Sequence, residues 1–191
     1  MPAIPDLINL LNNPHDADVI DRVFGEPEPL NIEDGLLPHE SEQPHLRLEI
    51  VCNNLAEIGS NALDAVPALV RCSQDEADST ACRFTKLAAV TAIWKITADP
   101  VMAIGLCERL LMDSECWFRR YVVELLEEIG HPALPALRER QVIDERYEVR
   151  ERAARAIERI EGGLEREPNL RDPNQTIPIQ LLFERTSSVL M

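Results

Sequence analysis

The segment Phe118-Arg-Arg-Tyr-Val-Val-Glu-Leu-Leu-Glu-Glu-Ile-Gly130, followed by Ala133-Leu-Pro-Ala-Leu137, decides the fold of this chain. Its apolar residues recur at the spacing of one helical face: Val122, Leu125, Leu126 and Ile129. Glycine commonly follows a helix end, and proline is tolerated only near a helix start. The segment therefore predicts a helix that stops at Gly130 and a second helix that begins near Pro135.

Three further segments resemble the first helix of this unit: Arg47–Gly59, Thr85–Thr97 and Val149–Glu161. The four segments align on Ile58, Ile96, Ile129 and Ile160, which recur at similar intervals along the chain. Each interval is long enough for two antiparallel helices and their turns. The second-helix motif recurs as Ala65-Val-Pro-Ala-Leu69, Pro100–Leu111 takes its place in the second unit, and the fourth unit keeps only a first helix. Self-similarity at such a period predicts stacked helical repeats.

This pattern resembles the HEAT repeat, particularly the short bacterial form named for phycobilisome lyases. The resemblance covers residues 45–163 and is best in the first and third units. The second unit departs from it, with Thr97 in place of a glycine and no Pro-Ala-Leu motif, and the fourth unit keeps only its first helix. It implies an all-α fold, a right-handed α-α superhelix of about four to five helix pairs. It also implies that the second helices line a concave binding surface.

The remaining segments flank the repeats, and all belong to a single domain. Residues 1–25 predict an N-terminal helical cap, with one short helix over 4–11 and another over 16–24. Residues 26–44 predict an acidic, proline-containing loop, either functional or disordered. Gly162-Gly163 predicts a Schellman-type stop, and the tail 164–191 either folds back over the last helix or serves as a docking segment. Glu148–Arg152 and Glu151–Arg155 are predicted as exposed i, i+4 pairs on that last helix.

The negative charge is concentrated in the first half of the chain. The net charge is −15, of which residues 1–82 contribute −13 and residues 83–191 contribute −2. Such a potential disfavours nucleic acid and anionic membranes and favours a basic protein partner, although acidity can also serve solubility alone. No leader pattern or apolar run of membrane length occurs, so a cytoplasmic location is expected.

Two sets of residues are predicted to bind a partner. The polar, outward positions of the second helices form a strip of alternating charge: Arg71, Glu108, Arg109, Arg138 and Glu139. The acidic residues of the loop form the other set: Glu26, Glu28, Glu33, Asp34, Glu40 and Glu42. The alternative for the strip is a solvated helix face, and the alternative for the loop is disorder.

No residue pattern indicates catalysis, a cofactor or a metal ion. The five cysteines lack a C-x-x-C pair, and Cys52 and Cys107 fall at apolar helical positions typical of buried free thiols. The histidines lie in loops or at helix starts: His15, His39, His45 and His131.

Residues Trp117–Tyr121 form an aromatic-basic cluster, in which Phe118 or Tyr121 is expected to pack inward. Arg119 or Arg120 is expected to bridge neighbouring repeats, as HEAT-like proteins commonly do.

These observations favour a non-catalytic HEAT-repeat scaffold or adaptor that binds another protein. A sharper form is an acidic inhibitor, of the immunity-protein type, for a basic partner. One alternative is a lyase-like subunit that handles a bilin or another ligand, and another is a HEAT-like DNA glycosylase, which the charge disfavours. The oligomeric state stays open.

Overall fold

The computed structural model describes residues 3–25, 43–77 and 79–162, which form helices joined by short loops and contain no strand. The elements in chain order are α1 (Ile4–Asn12), α2 (Ala17–Phe24), α3 (Gln43–Ile58), α4 (Val66–Ser73), α5 (Thr80–Thr97), α6 (Pro100–Leu110), α7 (Cys116–Ile129), α8 (Leu134–Ile143) and α9 (Tyr147–Glu161). Short 3-10 helices, Gly59–Ala65 and His131–Ala133, precede α4 and α8. The predicted all-α class is confirmed.

Glycines end two of the first helices where the pattern placed them. Gly59 follows α3 with a φ of 65°, and Gly130 follows α7 with a φ of 84°. A side chain disfavours this left-handed region, which glycine enters freely. At Thr97, where the pattern lacks glycine, α5 continues by one residue and Ala98 adopts the left-handed conformation instead, with a φ of 49°.

Proline begins each second helix. Pro67 and Pro135 lie in the first turns of α4 and α8, and Pro100 is the first residue of α6. The missing amide hydrogen is harmless there, because the first amides of a helix have no intrahelical acceptor. The predicted starts of the second helices are confirmed.

The first helices form a continuous row, in which α3 packs on α5, α5 on α7 and α7 on α9. The second helices fill the spaces beside this row, because α4 contacts α5, α6 contacts α5 and α7, and α8 contacts α7 and α9. The buried core between them is aliphatic except for one aromatic side chain, Phe118. Its largest members are Leu55, Leu69, Ile93, Leu111, Phe118, Leu126 and Leu137. Each helix pair therefore buries its apolar face against its sequence neighbours.

The N-terminal helices cover one end of this row. α1 packs on α3 and α4, and buries Leu7 and Leu10. Asp16 precedes α2, and its Oδ1 accepts the Val19 amide at 3.2 Å, which caps the helix. Both predicted helices of the cap are confirmed to within a residue.

Some local predictions were wrong. The helix expected to begin at His45 begins at Gln43, with Pro44 in its first turn, so the loop before it ends sooner than predicted. Arg152 does not pair with Glu148, because it lies on the face of α9 that packs against α7. There its Nε lies 3.3 Å from Glu124 Oε1.

Other end-of-chain predictions have mixed outcomes. The pair Arg155–Glu151 is confirmed, at 2.6 Å. Gly162 keeps a right-handed helical conformation, with a φ of −75°. Gly163, the tail and residues 26–42 of the acidic loop lie outside the described residues.

Among the described helices, none is both long and apolar enough to cross a membrane.

Candidate functional site

The five strip residues lie exposed on three second helices: Arg71 on α4, Glu108 and Arg109 on α6, and Arg138 and Glu139 on α8. Two of the arginines are bound within the chain. Arg71 Nη2 donates to Asn12 Oδ1 at 2.6 Å, and Arg138 Nη2 donates to Glu161 Oε1 at 2.5 Å. Arg109 forms no ion pair with any described residue. The part of the strip most open to a partner is therefore the middle, on α6.

Two open grooves lie along the edge where the second helices end. A groove of about 380 Å³ separates the ends of α4 and α6, and one of about 400 Å³ separates the ends of α6 and α8. Met112 lines both grooves and is 75% exposed. Arg109 lines the first, whereas Arg140 and the 54% exposed Ile143 line the second. Exposed apolar side chains beside arginines are typical of the centre of a protein interface.

The same kind of hydrogen bond recurs in the three loops that lead to α5, α7 and α9. Oδ1 of Asp75, Asp113 and Asp144 accepts the backbone amide two residues further on, at 3.0, 2.8 and 3.0 Å. This turn fixes the carboxylate beside the start of the next helix. We refer to Asp75, Asp113 and Asp144 as the junction aspartates.

Arginines of the first helices bind the second and third junction aspartates. Arg83 Nε lies 3.0 Å from both carboxylate oxygens of Asp113. Arg119 binds Asp144 through Nε at 2.9 Å and Nη2 at 2.8 Å. Arg83 and Arg119 are each the fourth residue of their helix, α5 and α7. Such two-point contacts hold one helix pair in register with the next.

Arg119 also binds the loop before its own helix. Its Nη1 donates to the carbonyl oxygens of Asp113 and Ser114, at 2.7 and 3.0 Å. Arg150, the fourth residue of α9, makes the same contacts with the carbonyl oxygens of Asp144 and Glu145, at 2.7 and 3.1 Å. The predicted bridging arginine is therefore Arg119, whereas Arg120 is exposed.

Pairing with arginine keeps two buried carboxylates ionised, Asp144 and Glu127. Burial would raise the pKa of Asp144, but the hydrogen bonds and charge of Arg119 outweigh it, and the pKa lies below its ordinary value. The hydrogen bond with Asp144 raises the pKa of Arg119. Glu127 on α7 is held likewise between Arg152 and Arg159 of α9, at 2.6 and 3.1 Å. Burial would raise the pKa of Glu127 too, but these two arginines outweigh it and lower the pKa.

The aromatic-basic segment is mostly packed. Phe118 is fully buried, as predicted for one of two candidates, while Tyr121 is 44% exposed. Tyr121 meets Phe84 edge to face, with ring centroids 5.8 Å apart, and Trp117 lies 5.6 Å from Phe84. Since Arg119 is bound to Asp144, Arg120 is the arginine of this segment that could contact a nucleic acid beside these rings.

The first junction differs from the other two. Ligand atoms of His45, Asp75 and Cys82 all lie within 4.8 Å of one another. His45 Nδ1 is inaccessible to solvent and has no hydrogen-bond partner. Burial raises the pKa of the Cys82 thiol to about 11, despite the nearby Lys86 ammonium. This is the one place among the described residues where histidine, cysteine and carboxylate groups converge as metal ligands could.

The other cysteines are buried or partly buried free thiols. Cys52 and Cys107 are inaccessible, as their apolar helical positions predicted. A hydrogen bond to Cys72, together with burial, raises the pKa of Cys52 well above its ordinary value. Burial raises the pKa of Cys107 to about 12. Cys52 and Cys107 are therefore protonated at neutral pH and are poor nucleophiles.

The sequence pattern missed two features of this surface. Met112 and Ile143 lie just past or at the ends of second helices, where periodicity does not say which residues are exposed. His45 lies on α3 and Asp75 follows α4, so no local spacing joins them. The available signal for the junctions was the aspartate in each loop that leads to a first helix: Asp75, Asp113 and Asp144.

The acidic loop residues lie outside the described residues: Glu26, Glu28, Glu33, Asp34, Glu40 and Glu42. No protein-family model, curated protein or solved structure matches the chain.

Proposed function

We propose that this protein is a non-catalytic, HEAT-type binding scaffold that holds another protein along the edge formed by its second helices. The observation that carries the proposal is the groove between α6 and α8. There the exposed side chains of Met112 and Ile143 flank Arg140 beside the polar strip. Apolar anchors of this kind, surrounded by charged groups, supply most of the energy of protein interfaces.

A repeated, stacked architecture supports the same proposal. The row α3, α5, α7 and α9, with α4, α6 and α8 beside it, has the neighbour contacts of stacked helix pairs, and we propose that these pairs wind into a right-handed α-α superhelix. Such scaffolds bind through extended surfaces instead of enclosed pockets, and both grooves here are open clefts. Crystallography of the protein with its partner tests the superhelix, and a left-handed or unstacked arrangement of these helices would contradict it.

The proposed partner has a basic surface. The described residues before α5, 3–25 and 43–77, contain nine acidic side chains and three arginines. Arg22 is bound to Asp6 at 3.0 Å, and Arg71 to Asn12. The acidic excess would accelerate association with a cationic protein, as expected of an inhibitor of a basic toxin or nuclease. An association rate that does not fall as salt is added would contradict this step.

Two ligand-binding alternatives have simple tests. A bilin-handling role predicts a change in visible absorbance when bilin is added to the full chain. A DNA-repair role predicts DNA binding at low salt, although Arg119 is engaged by Asp144 and the chain is strongly acidic. Neither has a structural observation in its favour comparable to the apolar groove.

The experiment that tests the proposal captures partners from the source cell with the full chain and with two variants. The double substitution Met112→Asp and Ile143→Asp places charges in the groove between α6 and α8. The matched control, Ile50→Asp, alters a 49% exposed apolar side chain on α3, in the row of first helices.

We expect one partner to be retained by the wild type and by the α3 control, and its affinity to fall at least tenfold in the double variant, about 1.4 kcal/mol. Capture that the double variant leaves unchanged would refute the groove as the binding site. Circular dichroism of both variants checks that the helices are retained.

A further inference from the structure

We propose that His45, Asp75 and Cys82 form a binding site for a zinc-like divalent metal ion at the first junction between helix pairs. The site goes beyond the proposed scaffold function and does not depend on it. Within the described ranges, these three residues bring a nitrogen, a carboxylate oxygen and a sulfur atom within 4.8 Å of one another.

The repeat register shows what is missing at this junction. His45 occupies the same place relative to Ile58 as Arg83 occupies relative to Ile96 when the first two units are aligned. Asp75 forms the same turn as Asp113, the aspartate that Arg83 binds. Histidine therefore stands where the next unit has the arginine that neutralises the junction aspartate. A neutral imidazole supplies no permanent positive charge and no fork of donors.

A metal ion supplies a positive charge at this junction and a partner for His45 Nδ1. His45 Nδ1 is shielded from solvent without a hydrogen bond, and a lone pair there is a natural metal ligand. The carboxylate of Asp75 is positioned by its bond to the Ala77 amide at 3.0 Å, which occupies only one of its oxygens. Cys82 is fully buried and lies in the first turn of α5.

The ligand types and spacing select the class of ion. Imidazole, carboxylate and thiolate together suit zinc and similar borderline ions better than magnesium or calcium. A tetrahedral zinc holds such ligand atoms roughly 3.3 to 3.6 Å apart. Because the present separations reach 4.8 Å, the three side chains need to approach one another by up to about 1.5 Å. Three protein ligands leave the fourth position to water or to a group from a partner.

The charges of the site also favour a cation. With the thiol proton displaced to solvent, Asp75 and Cys82 contribute two negative charges. Lys86 is the neighbouring cation, and its Nζ donates to the carbonyl oxygen of Ala77 at 3.0 Å, which keeps it beside the site. Its single charge leaves an excess of negative charge for the metal to neutralise.

The test measures zinc binding by the full chain, freed of metal by a chelator and kept reduced. Asp75→Asn retains an oxygen that can accept the Ala77 amide, so it removes the ligand charge while preserving the turn. Cys82→Ala removes the thiolate. The matched controls are His131→Ala, an exposed histidine, and Cys107→Ala, a buried cysteine of another helix.

Isothermal titration with Zn²⁺ should show one ion per chain in the wild type and in both controls. Each ligand variant should lose at least roughly tenfold in zinc affinity, because removing even a residue that only hydrogen-bonds to a metal ligand typically costs that much. Titration with Co²⁺ provides a second readout, because thiolate ligation adds a near-ultraviolet charge-transfer band that Cys82→Ala should remove. No saturable binding at micromolar Zn²⁺, or binding that Asp75→Asn and Cys82→Ala leave unchanged, would overturn the proposal.

Discussion

Removal of the Asp144 carboxylate should destabilise the protein far more than removal of an exposed carboxylate. The side chains of Arg119 and Asp144 are only 8% and 1% exposed, and two hydrogen bonds of 2.8 and 2.9 Å join them. Asp144→Ala leaves the guanidinium buried without its counter-charge. Breaking a buried pair in this way costs about 3 to 5 kcal/mol, a large share of a typical domain stability of about 5 to 15 kcal/mol.

Urea denaturation followed by circular dichroism measures the loss. With a slope of about 2 kcal/mol/M, a loss of about 4 kcal/mol lowers the midpoint by about 2 M. The matched control is Glu151→Ala, because Glu151 pairs with Arg155 in an exposed i, i+4 arrangement and should cost no more than about 0.5 kcal/mol.

A second variant separates the charge from the turn. Asp144→Asn keeps an oxygen for the Arg146 amide but removes the negative charge, so most of the loss should persist. The double variant Arg119→Met with Asp144→Ala should be more stable than Asp144→Ala alone, because no unpaired charge is then buried. A loss below about 1 kcal/mol for Asp144→Ala, similar to that of Glu151→Ala, would refute the reasoning.

Three other perturbations follow from the same contacts. Ala98→Gly should stabilise the protein by about 0.5 to 1 kcal/mol in urea unfolding, because relief of the left-handed alanine exceeds the entropy that glycine adds to the unfolded chain. Arg152 lowers the pKa of Glu127, so the stability that the Glu127 carboxylate contributes is fully present above its ordinary pKa of 4.5 and is lost as the pH falls through the lower pKa of the folded protein. The difference in unfolding free energy between wild type and Glu127→Gln should therefore narrow as the pH falls below 4.5. A difference that stays constant would contradict the assignment. His45→Arg should abolish zinc binding while stabilising the metal-free protein by about 0.5 to 1 kcal/mol, seen as a higher melting temperature, because it restores an arginine opposite Asp75; a lower melting temperature would show that the register is not equivalent.

The periodic part of the fold could be predicted from local sequence. Helix starts and stops depend on residues within one or two turns, which is why Gly59, Gly130 and Pro135 marked helix boundaries correctly. Thr97 shows the limit of the pattern. The helix still needed a left-handed residue to end it, and the chain used the next one, Ala98.

The side-chain partners were less predictable, because they depend on how the helices rotate against one another. Arg152 and Glu148 have suitable spacing for a local pair, but Arg152 faces α7 and binds carboxylates there. Each junction pair likewise joins a first helix to a loop that is distant in sequence, for example Arg119 on α7 and Asp144 after α8. Only the packing of the helices brings such residues together.

Hydrogen–deuterium exchange of the protein with and without its captured partner tests the binding-scaffold proposal most directly. The proposal predicts slower amide exchange in the partner complex at the ends of α6 and α8, around Met112 and Ile143. Exchange around Ile50, on the outer face of α3, should stay unchanged. Protection confined to the first helices, or none at the ends of the second helices, would contradict the proposal.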